Sequence, residues 1–281
     1  MVRRMANVIE QIWRYPAKSM QGEQLEATAL NANGLPGDRG WACRSEEIGG
    51  IRGARKLGNL MKLASRTLAN GDVEISLPDG SSFLATDADA GDRISAAIGH
   101  RITWWPILPS TDLDHYRRGP NRENIAAEFS EMFDVAAGEA FPDFSKFPPI
   151  LAEFESPPGT YFDAYPLLVV TASSLRELQT LAPDSTIDVR RFRPNIVVDT
   201  GDETGMPELE WQGREARLGG AIVRFTIECP RCVMTTREFA DLPQDRGIMR
   251  ALAANTKRCF GMYAEVASPG RIALGDQLVW Q

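Results

Sequence analysis

Cysteine is scarce in this chain, with four residues in 281, too few to staple a domain of this size by disulfides. The thiols are therefore expected to be free, as in a reducing cytoplasm. Histidine is scarcer still, with two residues. A zinc site needs four ligands, and apart from the close pair Cys229 and Cys232 only Cys43, Cys259, His100 and His115 remain, without a second paired motif. Long apolar runs are missing, so no segment reaches transmembrane length. The opening MVRRMANVIEQIWRYP carries arginines but no apolar stretch behind them, which argues against a secretory leader. Positive charge is not in excess either: 31 basic against 38 acidic residues give −7 and a pI near 5.1. That balance argues against a general nucleic-acid or anionic-membrane surface, and any basic patch has to be local. Internal repeats and low-complexity segments are absent.

What is present is a 43% apolar chain, long enough for one large domain or two ordinary ones. The first hundred residues or so read as short strands between turn signals. Asn70-Gly71 and Asp79-Gly80 lie between alternating runs such as Val73, Ile75 and Leu77, a strong hairpin signature. Residues 108–160 are rich in Pro, Gly and acidic residues and read as a long connection with little regular sheet. The second half mixes types. YPLLVV reads as a strand and TASSLRELQTLA as a helix, with Leu175, Leu178 and Leu181 on one face and Ser174 and Glu177 in a capping-box pattern. A strand entered through Pro194 follows. In GAIVRFTIE, Ala221, Val223, Phe225 and Ile227 face one way and Ile222, Arg224, Thr226 and Glu228 the other. DRGIMRALAA predicts a short helix, and FGMYAEVASPGRIALGDQLVW two strands around a Ser268-Pro269-Gly270 turn.

The segment IECPRCVMTT, at a strand end, sets the chemical question. Cysteines at this spacing serve a dithiol redox couple, half of a zinc site, or a thiolate for another metal. A redox couple belongs at a helix N-terminus early in a βαβ unit, whereas VMTT favours extended structure here. Two cysteines can also simply pack as small apolar groups. Arg231 between them raises the pair above that, because a cation beside a thiol favours the thiolate. Other loops gather related chemistry: Lys18 and Ser19 in YPAKSM, Arg39 in GLPGDRGWA, and Arg190, Arg191, Arg193 and Asn195 in RRFRPN. Singly each cation reads as a solvated surface charge; jointly they would form a basic pocket for a phosphate or an anionic ring system.

These strings resemble the MOSC-domain family with a MOSC N-terminal β-barrel, the family of the mitochondrial amidoxime-reducing component and its bacterial relatives. The resemblance runs in order through YPAKSM, GLPGDRGWA, ARKLGNLMKL, FDAYPLLVVTASSL, RFRPNIVVD, CPRCVMTT and the closing FGMYAEVASPGRIALGDQL. It implies an α+β, mostly β fold: a MOSC N-terminal β-barrel-like domain over 1–107, a connecting segment over 108–160, and a MOSC β-barrel domain with a few helices over 161–281. It also implies a molybdenum-molybdopterin (Mo-pyranopterin) cofactor with Cys232 as metal ligand and catalytic thiolate, Cys229 being a neighbour. Lys18, Ser19, Arg39, Asp163, Tyr165, Arg193, Asn195, Pro230 and Arg231 would hold the cofactor.

The activity implied is reduction of N-hydroxylated or N-oxygenated compounds. Electrons would come from a separate donor protein of ferredoxin, cytochrome b5-like or flavin-reductase type, since no ferredoxin domain follows LGDQLVWQ. No membrane anchor and no nucleic-acid partner are expected. Competing expectations are a sulfur carrier with a persulfide on Cys232, a non-enzymatic cofactor carrier, and, more distantly, a reversible Cys229–Cys232 disulfide.

Overall fold

The computed structural model describes residues 7–119, 125–136 and 138–281. The N-terminal arginines and residues 120–124 and 137 of the connecting segment lie outside them. The first half supplies β1 (Val8–Arg14), β2 (Glu23–Leu25), β3 (Ala27–Leu30), β4 (Trp41–Ser45), β5 (Ile51–Arg52), β6 (Ala64–Thr67), β7 (Val73–Ser76) and β8 (Ser82–Leu84). Helix α1 (Ala90–Ile98) and β9 (Ile102–Pro106) follow. Strands β6, β7 and β8 form the two hairpins that Asn-Gly and Asp-Gly signal, with Gly71 and Gly80 at positive φ. Helix α1 departs from the all-strand expectation: Ala90, Ile94 and Ile98 recur at helical spacing and are buried, and Gly99 ends the helix at φ 68°. Residues 108–160 carry α2 (Leu113–Tyr116), α3 (Ile125–Phe133) and a 3-10 turn at Pro149–Ala152, with no strand longer than an isolated bridge among the described residues.

The second half contributes β10 (Leu167–Thr171), α4 (Ala172–Leu181), α5 (Val189–Phe192), β11 (Ile196–Asp199), β12 (Glu215–Leu218) and β13 (Ala221–Pro230). It closes with α6 (Gly247–Thr256), β14 (Cys259–Ser268), β15 (Gly270–Ala273) and β16 (Leu278–Trp280). The fold is mixed, with more strand than helix, and its sheets are open. The largest has eight strands in the order β16-β12-β13-β14-β10-β11-β1-β2, so the first two strands of the chain extend a sheet built otherwise from the second half. Strand β1 lies antiparallel to β11, with Ile12 opposite Ile196. In β13 the expected alternation holds, Ala221, Val223, Phe225 and Ile227 being buried in turn. Ala221, Val223 and Phe225 join Ile12, Val169, Ile196 and Met262 in the main core, while Met20, Leu60, Ile94 and Met234 lie in a second. Among the described residues no helix is long and apolar enough to cross a membrane.

Three local expectations are corrected. The cap of α4 is Thr171, whose side chain accepts from the Ser174 amide at 3.1 Å. Ser174 instead donates to the fully buried Glu208, which Thr171 Oγ1 also reaches at 2.7 Å. The closing segment makes three strands, because β15 pairs with β3 and β16 with β12. Third, VMTT is no strand: Val233–Thr236 is one 3-10 turn with Cys232 at its N-cap.

That turn is braced by Arg191, which is fully buried on α5. Its guanidinium donates to the carbonyls of Thr186, Thr235, Arg237 and Pro243 at 2.7–3.3 Å. Arg191 is therefore a structural cation whose donors are spent within the protein, while Arg190 pairs outward with Asp188 and Asp241. Arg191→Met leaves these carbonyls without donors, so a loss of about 3 kcal/mol or more is expected in urea denaturation, on the order of 1 to 3 kcal/mol per stranded buried group.

Candidate functional site

Three chain turns converge beside the C-terminal end of β13. In each, an L-residue sits in the left-handed region: Ser19 at φ 68°, Arg39 at 48° and Arg193 at 55°. They are three of eight such non-glycine residues among those described. Backbone strain therefore collects here, as it does where a site needs a fixed geometry.

On the first turn Lys18 is buried and donates to the Tyr161 carbonyl at 2.7 Å and to Asp163 Oδ1 at 2.6 Å. Burial pushes its pKa down, opposed by Asp163. Burial also opposes ionisation of Asp163, but Lys18 and Arg55 hold this half-exposed carboxyl well below the usual carboxylate range. Ser19 Oγ accepts from the Ala54 amide at 2.9 Å. Gly53 permits that approach, because a Cβ there would lie 2.6 Å from the hydroxyl.

The second and third turns share one carboxylate. Asp38 accepts from the Tyr15 amide at 2.7 Å, from Asn195 Nδ2 at 3.0 Å and from the Arg39 guanidinium. Asn195 spends its amide inside the protein, also donating to the Trp13 carbonyl and accepting from the Leu168 amide. It lines the groove while tying β1, β10 and β11 together. Arg39 and Arg193 lie 5.2 and 4.2 Å from the Tyr15 ring centroid. Burial, then repulsion from Arg39, lowers Arg193 to about 10. Arg39 is raised: burial opposes its charge, and Asp38 more than offsets this. The Tyr15 hydroxyl is buried without a partner.

The cysteines part company. Cys229 is buried on β13, and its sulfur accepts from Arg231 Nη1 at 2.9 Å. Burial nevertheless wins and pushes this thiol up, so Arg231 does not make Cys229 a thiolate. Arg231 also donates to the Phe192 carbonyl at 2.7 Å, and its Nε is buried without a partner. Cys232 is half-buried, the most accessible of the four free cysteines. Tyr165 and Tyr263 close one side, their rings 5.6 Å apart.

The structure thus brings every sequence-nominated residue onto one groove: Lys18, Ser19, Arg39, Asp163, Tyr165, Arg193, Asn195, Pro230, Arg231 and Cys232. Its cavity volume is about 70 Å³, and it is partly open to solvent. Larger clefts lie outside it, among them one of about 520 Å³ beyond Arg55. Size alone would favour that cleft; the buried cations and the accessible sulfur favour the groove. Sequence reasoning missed Arg55, which reaches Asp163 at 3.4 Å, as well as Asp38 and Tyr263. Arg55 lies in ARKLGNLMKL, a string whose cations carry no spacing signal. Zinc gains no support, since no group of three or more His, Cys, Asp or Glu gathers among the described residues.

Comparison with known proteins follows the same outline. Residues 157–279 match the MOSC domain and residues 6–99 the MOSC N-terminal beta barrel domain. Mitochondrial amidoxime reducing component 2 of Bos taurus is 25% identical, over 98% of this chain and 84% of that protein. Its Homo sapiens counterpart is 31% identical over 41% of this chain and 37% of its own length. Mitochondrial amidoxime-reducing component 1 of Xenopus laevis is 22% identical over 96% and 80%. Among solved structures, the YUAD protein of Bacillus subtilis is 13% identical with a TM-score of 0.44, covering 99% of this chain and 97% of its own.

Burial raises the Cys43 thiol to about 12, and Cys259 is raised as well. Under native conditions iodoacetamide is therefore expected to label Cys232 alone, and all four cysteines only after denaturation. Peptide mass mapping checks this, and rapid labelling of Cys229 in the folded protein would contradict the assignment.

Proposed function

We propose, since the chain belongs to the MOSC-domain family with its N-terminal β-barrel domain, that the groove holds a molybdenum-pyranopterin cofactor and reduces N-hydroxylated or N-oxygenated compounds. The observation that carries this is the meeting of four cations, Lys18, Arg39, Arg193 and Arg231, with one accessible sulfur, Cys232, in an otherwise acidic protein, with Arg55 reaching the groove's Asp163 from outside. Few carboxylates answer them, and Arg231 Nε and the Tyr15 hydroxyl are buried without partners. Such a donor set fits an anionic ligand with a phosphate and ring polar atoms, and a soft thiolate fits molybdenum.

When bound, the cofactor supplies two-electron oxygen-atom chemistry. The protein's part is to bind and orient it. Lys18, Arg39 and Arg193 neutralise the anionic group, and the strained turns hold them in place. Asn195 acts mainly by fixing Asp38 and Arg39. Ser19 and Arg231 have hydrogen-bonding capacity to offer, and Pro230 keeps the strand end rigid beside Cys232. Asp163 and Tyr165 line the groove with them. On this reading residues 1–107 lend Lys18, Ser19 and Arg39 to a site otherwise built from residues 161–281, with 108–160 connecting them.

In the overall reaction, two electrons and two protons turn the N–OH group into N–H plus water, the electrons arriving from a separate donor protein. Free thiols support a reducing compartment such as the cytoplasm. The competing reading, a persulfide carried on Cys232, rests on the exposure of that sulfur alone.

Protein from a molybdenum-replete host is expected to contain molybdenum and pterin near one per chain. Cys232→Ser should lose the metal or change its spectrum, while Cys229→Ser should have a milder effect. Arg193→Gln should weaken cofactor retention roughly tenfold or more, the worth of one buried charge-assisted bond. Absence of molybdenum together with a reducible mass gain of one sulfur on Cys232 would establish the carrier instead.

A further inference from the structure

On the far side of Arg55 from the groove lies the cleft of about 520 Å³, walled by Arg55, Lys56, Met132, Val233, Arg237 and Arg246. Val233 and Thr236 belong to the 3-10 turn that Cys232 caps, so the cleft opens within one turn of the sulfur. Only some of its charges are paired. Lys56 is held by Glu128 at 3.0 Å, and Arg55 by Asp163 and Glu155 at 3.4 and 3.9 Å. Arg237 and Arg246 form no ion pair among the described residues. Arg237 donates to the Arg55 carbonyl at 3.0 Å, and its Nε is buried without a partner. Glu131 and Asp134 line the same cleft, and neither pairs with these guanidiniums among the described residues.

Two guanidiniums without ion-pair partners among the described residues, lining a cleft one turn from Cys232, suit a carboxylate or phosphate by the same charge-assisted geometry that holds Asp38 in the groove. We propose that this cleft seats an anionic group of the substrate, Arg237 and Arg246 being its specificity residues, so that anionic N-hydroxylated compounds are preferred over neutral ones. The inference rests on the reductase reading for the substrate's other end, but anion binding itself requires no turnover.

The test titrates holoprotein calorimetrically with benzoate, phenyl phosphate and neutral benzamide, in the parent and in Arg246→Gln. Arg246 is exposed, and no side-chain hydrogen bond ties it to the described residues, so the variant is expected to keep the parent's thermal midpoint. At least one anion should bind the parent and lose roughly tenfold in affinity in the variant, with partial recovery in Arg246→Lys and greater weakening at higher salt. Benzamide should not distinguish the proteins. Whichever anion binds decides between carboxylate and phosphate. Equal affinities in parent and variant, or no binding of either anion, would overturn the proposal.

In turnover, an aryl amidoxime carrying a carboxylate should show a lower KM than its neutral analogue, and Arg246→Gln should close that gap with kcat little changed. If no amidoxime is reduced while anions still bind through Arg246, the reductase reading falls and the anion site stands. Reduction without charge preference sinks only the anion site.

Discussion

A cation moved out of water costs several kcal/mol unless carboxylates or hydrogen bonds replace its hydration, and the groove concentrates such cations. Asp38 makes this tolerable. One carboxylate receives the Tyr15 amide, the Asn195 side chain and Arg39, while the Tyr15 ring offers its π-face to Arg39 and Arg193. The compensation is incomplete. Arg193 is lowered by burial and by its neighbour Arg39, and Arg231 keeps an unpartnered Nε. A protein shaped for stability alone would fill such a place with apolar side chains. The residual positive charge is intelligible as attraction held ready for an anion, and the positive φ at Ser19, Arg39 and Arg193 as strain serving the same geometry.

The large sheet is what keeps these cations together. Lys18 reaches Tyr161 and Asp163 across more than 140 positions of sequence, and Arg193 reaches the Met20 carbonyl across 173. Both contacts exist because β1 is zipped to β11 and β11 runs parallel to β10, which sets the turn after β1 against the segments that enter β11 and β10. Neither half of the chain could form the groove alone. The Cys232 turn comes from the same economy of contacts. Strand β13 delivers Cys229 and Pro230 into the sheet, and Arg191 behind the turn gathers carbonyls that a 3-10 turn leaves free. The two cysteines thereby gain different environments despite their short spacing: one buried and bonded to Arg231, the other half-buried and accessible.

Local signals in the chain were good guides wherever a short-range rule governs the outcome. The Asn-Gly and Asp-Gly hairpins, the in-out alternation of β13 and the helix over 247–256 follow from turn chemistry and periodicity. They misled where a distant partner decided. Ser174 and Glu177 have capping-box spacing, yet Glu208, more than thirty residues away, claims the Ser174 hydroxyl, and Thr171 becomes the cap. VMTT has β-branched residues suited to a strand, but Arg191 and the packing of Met234 into the second core hold it as a turn. Arg231 directly precedes Cys232 in sequence, and only the fold shows that its charge goes to Cys229, where burial outweighs it.

By itself the sequence determined the mostly-β character with its few helices, the sparse free thiols, and the residue types from which an anion-binding, thiolate-bearing site is made, because composition and local periodicity are properties of neighbours along the chain. Tertiary structure alone decided that the scattered loop cations share one groove. It also decided that Arg190 stands outside it, that Arg191 borders it with its donors spent on backbone carbonyls, that Arg55 reaches it only through Asp163, and that Cys232 is the accessible sulfur. Each of those outcomes depends on which side chains lose their water together, and that is fixed by strand pairing between distant parts of the chain.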